Sequence, residues 1–507
     1  MKTILFWDAD QQPQSTFFVR ILKEKVQESK QEQEECPSTR GYVDDEYDKE
    51  ADQRLSRKIS WALFPILMGV TVIQFIDKFA LNYSAVLGLY EDVDLTGTQF
   101  SLSSAIFFIG LMVVQIPNIY LFQRLPIAKY FGTFTVFWGI SVGCTALVTD
   151  YPQLLALRFL IGFFESTSLC SGYLLVSIFY RRHEQVFWLG VLMAANFIGM
   201  STSGLFGYAI GYMDGLAGMR AWKWLMIIWG SITVLFGILL FVFLPDTPYS
   251  RWFRLSEQEK KLMDARLLEN GTVVTHRINL DHIKESLRDP RYYCYILITM
   301  LFVLQVACST TFSSQMIHSM GFSQLNSVLL NVPIGVATIL LIYLAIFLNR
   351  YFQQFCFVII IMLAITMTGL ILMCVVPLGP AQMAGIILSN PAPCSVVIEA
   401  CILNNISGFT KRTFFMTSFL IAYSMGNFIG PIMLLAREAP RYYSGLIGYL
   451  VADLIVCGLL LVVRYLNKRE NKRRDTLQDQ GQMPPKTENR QELDWTDGMD
   501  LHFRYRL

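Results

Sequence analysis

Arg158 and Glu165 are ionisable residues seven positions apart within one long apolar segment of this 507-residue chain. In an α-helix this spacing places both side chains on the same face, about two turns from each other. An arginine can hold a carboxylate through two parallel hydrogen bonds, and a carboxyl group inside a membrane is a natural proton carrier. One helix face would therefore carry a group that can bind a carboxylate and a group that can hold a proton.

Asp77, in another apolar segment, is the residue that we expect to pair with Arg158. In this hypothesis protonation of Asp77 releases the guanidinium, which then binds a substrate carboxylate. The alternative is a structural ion pair that only holds two helices together. Glu165 is either a second proton carrier or a neutral acid that hydrogen-bonds nearby hydroxyl groups. Lys78 could attract the anion or extend its ammonium group to the lipid headgroups.

Two further acids, Glu399 and Asp453, lie in apolar segments of the C-terminal part of the chain. Placing an ionisable residue in the middle of a membrane costs about 2.5–3.5 kcal/mol on insertion scales, which makes each one a functional candidate. We expect Glu399 to contribute to substrate binding. We expect Asp453, in the last apolar segment, to make a packing contact.

Six neutral polar residues inside apolar segments could orient a small polar ligand through hydrogen bonds. Lys78 and Asn82 are four residues apart, as are Tyr423 and Asn427, so each pair shares one helix face. The alternative for each residue is a hydrogen bond between helices, worth about 0.6–2 kcal/mol. The neutral candidates are Asn82, Asn196, Gln305, Asn331, Tyr423 and Asn427.

The distribution of charge identifies the elements that must position these residues. Of the 42 basic and 40 acidic residues, 57 lie in 1–58, 246–291 and 467–507, which leaves 25 for the other 362 residues. No water-soluble fold can cover so much apolar sequence with so few charges, so a soluble enzyme or binding domain is excluded. The apolar runs are continuous rather than alternating, which excludes a membrane β-barrel.

A transmembrane helix needs about 20 mainly apolar residues. The sequence therefore predicts an all-α membrane protein with twelve transmembrane helices in two six-helix bundles. The predicted spans 1 to 12 are 61–88, 99–121, 128–148, 152–176, 186–211, 222–244, 292–316, 323–347, 354–376, 381–405, 412–436 and 442–465. The predicted parts are an N-terminal tail (1–58), an N-terminal bundle (59–245), a central loop (246–291), a C-terminal bundle (292–466) and a C-terminal tail (467–507).

The short loops predict the orientation, because basic residues favour the cytoplasmic side. Basic residues such as Arg124, Lys129 and Arg181 fall in loops on the side of the N-terminus, and the first loop on the other side, EDVDLTGT, is acidic. Both tails and the central loop are therefore expected in the cytoplasm.

The polar segments allow two further expectations about local structure. In the central loop Ser256 is expected to cap a short amphipathic helix that stops at Gly271. The composition of residues 470–500 is typical of disordered segments.

The remaining motifs exclude other classes of function. A net charge of +2 gives no basic surface for nucleic acid, and the five histidines form no cluster within the spans. There is no HExxH motif, phosphate-binding loop or nucleophile elbow in a suitable context. We therefore expect no cofactor, no metal and no enzyme activity. The expected partners are a small-molecule substrate, protons and the lipid bilayer, with the protein acting as a monomer.

An ordered set of motifs carries a family resemblance. Span 1 contains FIDKFALNYSAVLGL, span 4 contains LLALRFLIGFFES, and span 11 contains GFTKRTFFMTSFLIAYSMGNFIGP. IFYRRHEQ precedes span 5 and FLPDTP opens the central loop. From about residue 48 to 475 the chain resembles the fungal allantoate permease family of anion:cation symporters within the major facilitator superfamily. The pattern of Leu154, Arg158 and Gly162 is similar to the span-4 coupling motif of that superfamily.

The resemblance implies a plasma-membrane importer of small organic anions or vitamins, such as allantoate, nicotinate or pantothenate, driven by protons and working by alternating access. Three departures alter this expectation: Asn349-Arg350 replaces an acidic-basic pair, QVACSTTFSSQ replaces an Asn/Gly-rich stretch in span 7, and Glu399 stands where a small or apolar residue is usual. The first departure affects a gating loop and the others affect the cavity. Two alternatives remain: an exporter or antiporter of a fungal metabolite, and a nutrient sensor that does not transport.

Overall fold

The computed structural model of the chain describes residues 49–246, 249–250, 253, 255–269, 280–483 and 495–507. These residues form helices and no β-strand. Twelve of the helical segments are long and apolar enough to cross a membrane, which confirms the predicted fold class. Both ends of the transmembrane region and the central loop lie at one end of the molecule, here the terminal face, and the opposite end is the far face.

Six long helices form the N-terminal half, which corresponds to spans 1 to 6. The first continues beyond its end through a π-helical turn at Ala85–Leu89 and a short turn at Tyr90–Asp92. The second begins at a reciprocal cap, in which the Thr96 hydroxyl accepts from the Gln99 amide nitrogen and the Gln99 side chain accepts from that of Thr96. The helices are α1 Lys49–Ser84, α2 Gly97–Arg124, α3 Ile127–Cys144, α4 Tyr151–Phe179, α5 Arg182–Gly211 and α6 Ala221–Phe243.

The central loop contributes two short helices and the C-terminal half contributes eight, of which two pairs make up spans 8 and 10. The loop helices are α7 Glu257–Glu269 and α8 Leu280–Arg288. The others are α9 Pro290–Ser319, α10 Gln324–Leu329, α11 Asn331–Phe352, α12 Phe355–Val375, α13 Met383–Leu388, α14 Ala392–Asn404, α15 Phe409–Ile432 and α16 Tyr443–Asp479.

Spans 8 and 10 are interrupted helices, whereas the sequence predicted continuous ones. Between α13 and α14 the chain passes through Pro391, which lacks an N–H group and cannot continue the helical ladder. The Ser389 carbonyl group, near this break, accepts a hydrogen bond from Gln305 of α9. The Asn390 side chain donates to Thr338 of α11 at 2.8 Å. Side chains of neighbouring helices therefore bond to groups at the break.

Glycines allow some of the helices that carry the candidate site to pack closely. A Cβ atom on Gly162 of α4 would lie 1.9 Å from the Phe107 carbonyl oxygen of α2, and one on Gly110 would lie 2.2 Å from that of Phe159. Helices α2 and α4 are therefore in backbone contact one turn beyond Arg158.

The two halves also meet near the far face. Gly204 and Gly211 of α5 face Val328 and Leu325 of α10. The hydroxyl groups of Ser104 in α2 and Thr311 in α9 are 2.8 Å apart. In this conformation the far ends of the two halves are therefore joined by polar and apolar contacts.

Ser256 caps α7 as the sequence predicted: its hydroxyl accepts from the Glu259 amide nitrogen, and the Glu259 carboxylate accepts from that of Ser256. The predicted stop at Gly271 lies outside the described residues. Helix α7 is bound to the N-terminal half through Arg266, which contacts Asp52 at 2.7 Å and Glu184 at 3.1 Å.

Helix α8 belongs to the C-terminal half, because its Glu285 lies 2.9 Å from Lys411 of α15. The connected loop helices are thus attached to different halves.

The predicted disorder of residues 470–500 is wrong for the described part of that stretch. Helix α16 extends to Asp479, and residues 495–507 pack against the terminal face of the C-terminal half. Asp497 and Lys411 form an ion pair at 2.9 Å with both side chains 2% exposed. Arg474 donates to the carbonyl groups of Asp497, Asp500 and Phe503 at 2.7–3.2 Å. These bonds offset the low apolar content of the segment. Residues 484–494 lie outside the described residues.

Candidate functional site

Four of the six predicted ionisable residues come together in the N-terminal half, between α1 and α4. Asp77, Arg158 and Glu165 are almost completely buried, and Lys78 is half-buried beside them. The charges of Asp77 and Glu165 are close enough to act on Arg158. This charged cluster combines two carboxyl groups with two cations.

The expected ion pair between Asp77 and Arg158 does not form among the described residues in this conformation. The Asp77 carboxylate instead accepts a hydrogen bond from the indole nitrogen of Trp138 in α3, at 3.0 Å from Oδ2. The neutral indole N–H group of Trp138 is thus the partner of Asp77, where the sequence predicted Arg158. The physical reason is the burial of Trp138, which is 0% exposed, so that its N–H group needs an acceptor within the protein.

Arg158 is 4% exposed, and its Nε and Nη2 atoms have no hydrogen-bond partner among the described residues. Leaving a buried cation uncompensated costs several kcal/mol, so such groups are normally paired. The planar guanidinium group is suited to a carboxylate, which can accept from Nε and Nη2 together. Two coplanar donors of a buried guanidinium group are therefore available to a ligand.

A chain of hydrogen bonds runs from Ser168 through Gln74 to Glu165. The Oε1 atom of Glu165 accepts from Gln74 of α1 at 2.8 Å and lies 3.9 Å from the Lys78 ammonium group. Gln74 in turn accepts from Ser168 at 3.1 Å. The second carboxyl oxygen of Glu165 is buried without a partner in the described residues. That oxygen can carry a proton without breaking a hydrogen bond, which suits a group that alternates between two protonation states.

A second group of predicted residues lies in the contact between the halves. Asn82 of α1 donates to Ser313 at 2.7 Å and accepts from the Ser314 backbone at 3.1 Å. Asn331 binds the side chains of both serines and the Ser327 carbonyl group. The two amides therefore form hydrogen bonds between helices, which is the alternative to ligand binding that the sequence left open.

The other neutral candidates are dispersed over both halves. Gln305 donates to Ser389 and lines a small cavity between α9, α12, α13 and α16, and its buried Oε1 has no hydrogen-bond partner in the described part of the chain. Asn427 bonds to the Tyr423 carbonyl group one turn earlier in α15. Asn196 contacts the Met193 sulfur at 3.8 Å. These residues do not join the charged cluster.

The acids of the C-terminal half also stand apart from the charged cluster. Glu399 is partly buried in α14, and no ion pair to it occurs among the described residues. Asp453 is 1% exposed in α16, and its Oδ2 atom has no hydrogen-bond partner in the described part of the chain. No group of three potential metal ligands occurs within the described ranges.

The sequence analysis did not identify Gln74 and Trp138, two residues that bond to the charged cluster. Gln74 carried a usable signal, because Gln74, Lys78 and Asn82 follow one another at intervals of four and so share one face of α1. Trp138 carried none, because in the sequence it is one apolar residue among many, and only the packing of α3 brings its nitrogen to Asp77.

Comparisons with known proteins agree with this architecture. A family model described as Major Facilitator Superfamily matches residues 67–431. An uncharacterized transporter of Schizosaccharomyces pombe is 33% identical, over 91% of each chain. The allantoate permease of Saccharomyces cerevisiae is 28% identical, over 90% of this chain and 87% of the permease.

A solved structure confirms the fold. The inward-facing, occupied crystal structure of a bacterial homolog of the human lysosomal transporter Spinster has a TM-score of 0.63 at 13% identity, covering 79% of this chain and 96% of that one. Its similarity concerns the fold alone. Together with the family match and the similar fungal transporters, it leads to one conclusion: the chain is a transmembrane transporter of the Major Facilitator Superfamily and belongs to its fungal, allantoate-permease-like members.

Proposed function

We propose that this protein imports a small organic anion together with a proton, and that Arg158 binds the carboxylate of the substrate. The observation that carries the proposal is the buried guanidinium group with two unpartnered nitrogen atoms. A substrate carboxylate would supply the two acceptors that the protein does not provide, in the planar geometry that a guanidinium group favours.

The composition of the charged cluster supports coupling to protons. With all four groups ionised, Asp77 and Glu165 balance the charges of Lys78 and Arg158. A bound monoanion would leave one negative charge uncompensated in a medium of low dielectric constant, where such a charge is costly. Protonation of either carboxyl group restores neutrality. Anion binding and proton binding therefore favour each other, and by linkage the effect is reciprocal.

We propose that the protein lies in the plasma membrane with its terminal face in the cytoplasm. The basic loops favour this orientation. In it, the contacts near the far face close the extracellular side in the described conformation. Alternating access then requires the contacts of α10 with α5 and of α9 with α2 to open.

The substrate class proposed is that of the organic anions and vitamins related to allantoate, nicotinate and pantothenate. It rests on the similarity to the allantoate permease and on a site built around one arginine. Spans 7 and 10 differ from the family pattern at QVACSTTFSSQ and Glu399, so the preferred member of the class is to be found by measurement.

Uptake of radiolabelled allantoate, nicotinate and pantothenate at pH 5 and pH 7 tests the proposal, in a yeast strain that lacks the corresponding permeases. We expect at least one anion to accumulate, more strongly at pH 5, and a protonophore to abolish the accumulation. Arg158→Ala, present at the same level in the membrane, is the matched inactive control. Depletion of a preloaded anion would instead identify an exporter, and no movement of any of these anions would contradict the proposed substrate class.

A further inference from the structure

We propose that Trp138 is a positioning residue for anion binding: its indole nitrogen holds the Asp77 carboxylate away from Arg158 and so keeps the guanidinium group available to substrate. This inference rests on the proposed function, since it concerns the same arginine. It adds a residue that the sequence motifs do not include, in a helix that contributes none of the predicted ionisable groups.

The first observation is the bond itself. Trp138 is completely buried in α3, and its Nε1 atom lies 3.0 Å from Oδ2 of Asp77, which is 3% exposed. Both groups are removed from water, so neither can exchange the other for a solvent molecule at no cost. A hydrogen bond from a neutral donor to a charged acceptor is about twice as strong as one between neutral groups.

The second observation is the state of the arginine that Asp77 could otherwise contact. The charge of Asp77 is close enough to act on Arg158, yet no ion pair joins the two side chains in the described residues. Arg158 keeps Nε and Nη2 without partners, although an acid of opposite charge is close by. The bond from Trp138 is the contact that explains why this acid does not turn toward the arginine.

Loss of the indole N–H group has a defined consequence. Without that donor the Asp77 carboxylate lacks a partner, and the unpartnered nitrogen atoms of Arg158 are the strongest donors within reach. Asp77 would then occupy the position of the substrate carboxylate and compete with it. The effect should fall on the concentration needed for half-maximal uptake, because the substrate must displace an internal anion.

The experiment compares Trp138→Phe, Asp77→Asn and the double variant at pH 5, with the apparent KM and maximal rate of anion uptake measured per transporter in the membrane. Trp222→Phe is a matched control, since Trp222 is also completely buried and donates to Asp92 at 2.8 Å, near the far face. Trp138→His is a second variant, because its smaller ring retains an N–H donor.

We expect Trp138→Phe to raise the apparent KM about tenfold to hundredfold, the range for a lost hydrogen bond to a charged group. Adding Asp77→Asn should return KM to the value of Asp77→Asn alone, because the competing charge is gone. Trp138→His should stay within a few-fold of the wild type, and Trp222→Phe should leave KM unchanged.

Two results would overturn the inference: an unchanged KM in Trp138→Phe, or a raised KM that Asp77→Asn does not rescue, since the latter points to packing alone. The proposed function fails in a different way, through a wild-type protein that takes up no organic anion. The two failures are therefore distinguishable in the same assay.

Discussion

At the scale of single residues, the distinction between Arg158 and Lys78, the other cation of the charged cluster, is geometric. Lys78 lies 3.9 Å from Glu165 and also stands over the Phe75 ring, so its charge is already compensated within the protein. Arg158 has two donors in one plane that remain unpartnered. Binding of the anion should therefore depend on the planar fork formed by these two N–H donors, and not only on the positive charge.

Replacing Arg158 by lysine keeps the charge and removes the fork, and we expect the apparent KM for the transported anion to rise about tenfold to hundredfold. The measurement is concentration-dependent uptake, normalised to transporter in the membrane. Arg437→Lys, at an exposed position in the loop before α16, is the control and should behave like the wild type. An Arg158→Lys variant with unchanged KM would show that the charge alone suffices.

Glu165→Gln fixes this position in a neutral state that resembles the protonated acid. We expect the variant to exchange internal for external substrate and to lose acid-driven accumulation, so that the ratio of uptake at pH 5 to pH 7 falls to about one. Counterflow and net uptake assays separate the two activities. Asp94→Asn, an exposed carboxylate in the first far-face loop, should retain the wild-type ratio. Retention of accumulation in Glu165→Gln would exclude this acid from coupling.

At the scale of helices, the positions of the charged residues depend on how closely α2 and α4 approach. Gly162→Ala would place a methyl group 1.9 Å from the Phe107 carbonyl oxygen, where only a backbone shift can make room. We expect a loss of about 1–3 kcal/mol of stability, by analogy with overpacked cores, and lower uptake as Arg158 is displaced. Thermal unfolding in detergent measures the first effect. Gly143→Ala, with open space around it, should leave the unfolding temperature nearly unchanged.

The C-terminal segment 495–507 provides a second prediction at this scale. Asp497→Ala leaves Lys411 with one carboxylate partner instead of two and removes an acceptor of the Tyr505 hydroxyl. We expect about 1.5–3 kcal/mol of destabilisation, the range for a lost hydrogen bond to a charged group, seen as a lower unfolding temperature. Asp475→Ala removes an exposed pair with Arg504 and should cost less than about 1 kcal/mol. Equal losses in both variants would contradict the importance of the buried pair.

Helix breaks and the C-terminal segment also mark where sequence reasoning was incomplete. Hydropathy indicated spans 8 and 10 correctly, because the bilayer sets the length of an apolar run. It did not indicate the break at Pro391, because a proline in a membrane helix can be tolerated or can end it, depending on neighbouring side chains. The docking of residues 495–507 depends on Arg474 and Lys411, whose partners are distant in sequence.

At the scale of the whole molecule, transport by alternating access requires the far ends of the two halves to separate. Ser104 and Thr311 are suitable for testing this, because their hydroxyl groups are 2.8 Å apart across the contact. In the double variant Ser104→Cys, Thr311→Cys we expect oxidation to form a disulfide and to reduce uptake to less than about one tenth. Reduction should restore uptake, and each single cysteine variant is a control. Full uptake in the cross-linked protein would mean that this contact does not open.

The fold could be predicted from the sequence at this scale because twelve apolar runs allow few arrangements in a membrane. The site could be predicted only in part. Arg158 and Glu165 were recognisable from their spacing in one helix, whereas the partner of Asp77 depends on the packing of α3 against α1 and α4. Asn82 and Asn331 were identified as polar residues within spans, but their role in joining the halves appears only when both halves are in place.

Helices α7 and α8 are attached to different halves, so the chain segment between them connects the two halves at the terminal face. Ten residues separate Glu269 from Leu280, and a chain of that length can reach at most about 35 Å. Each of the ion pairs of Arg266 and Glu285 joins a loop helix to one half only, so a movement of the halves relative to each other can leave both pairs intact.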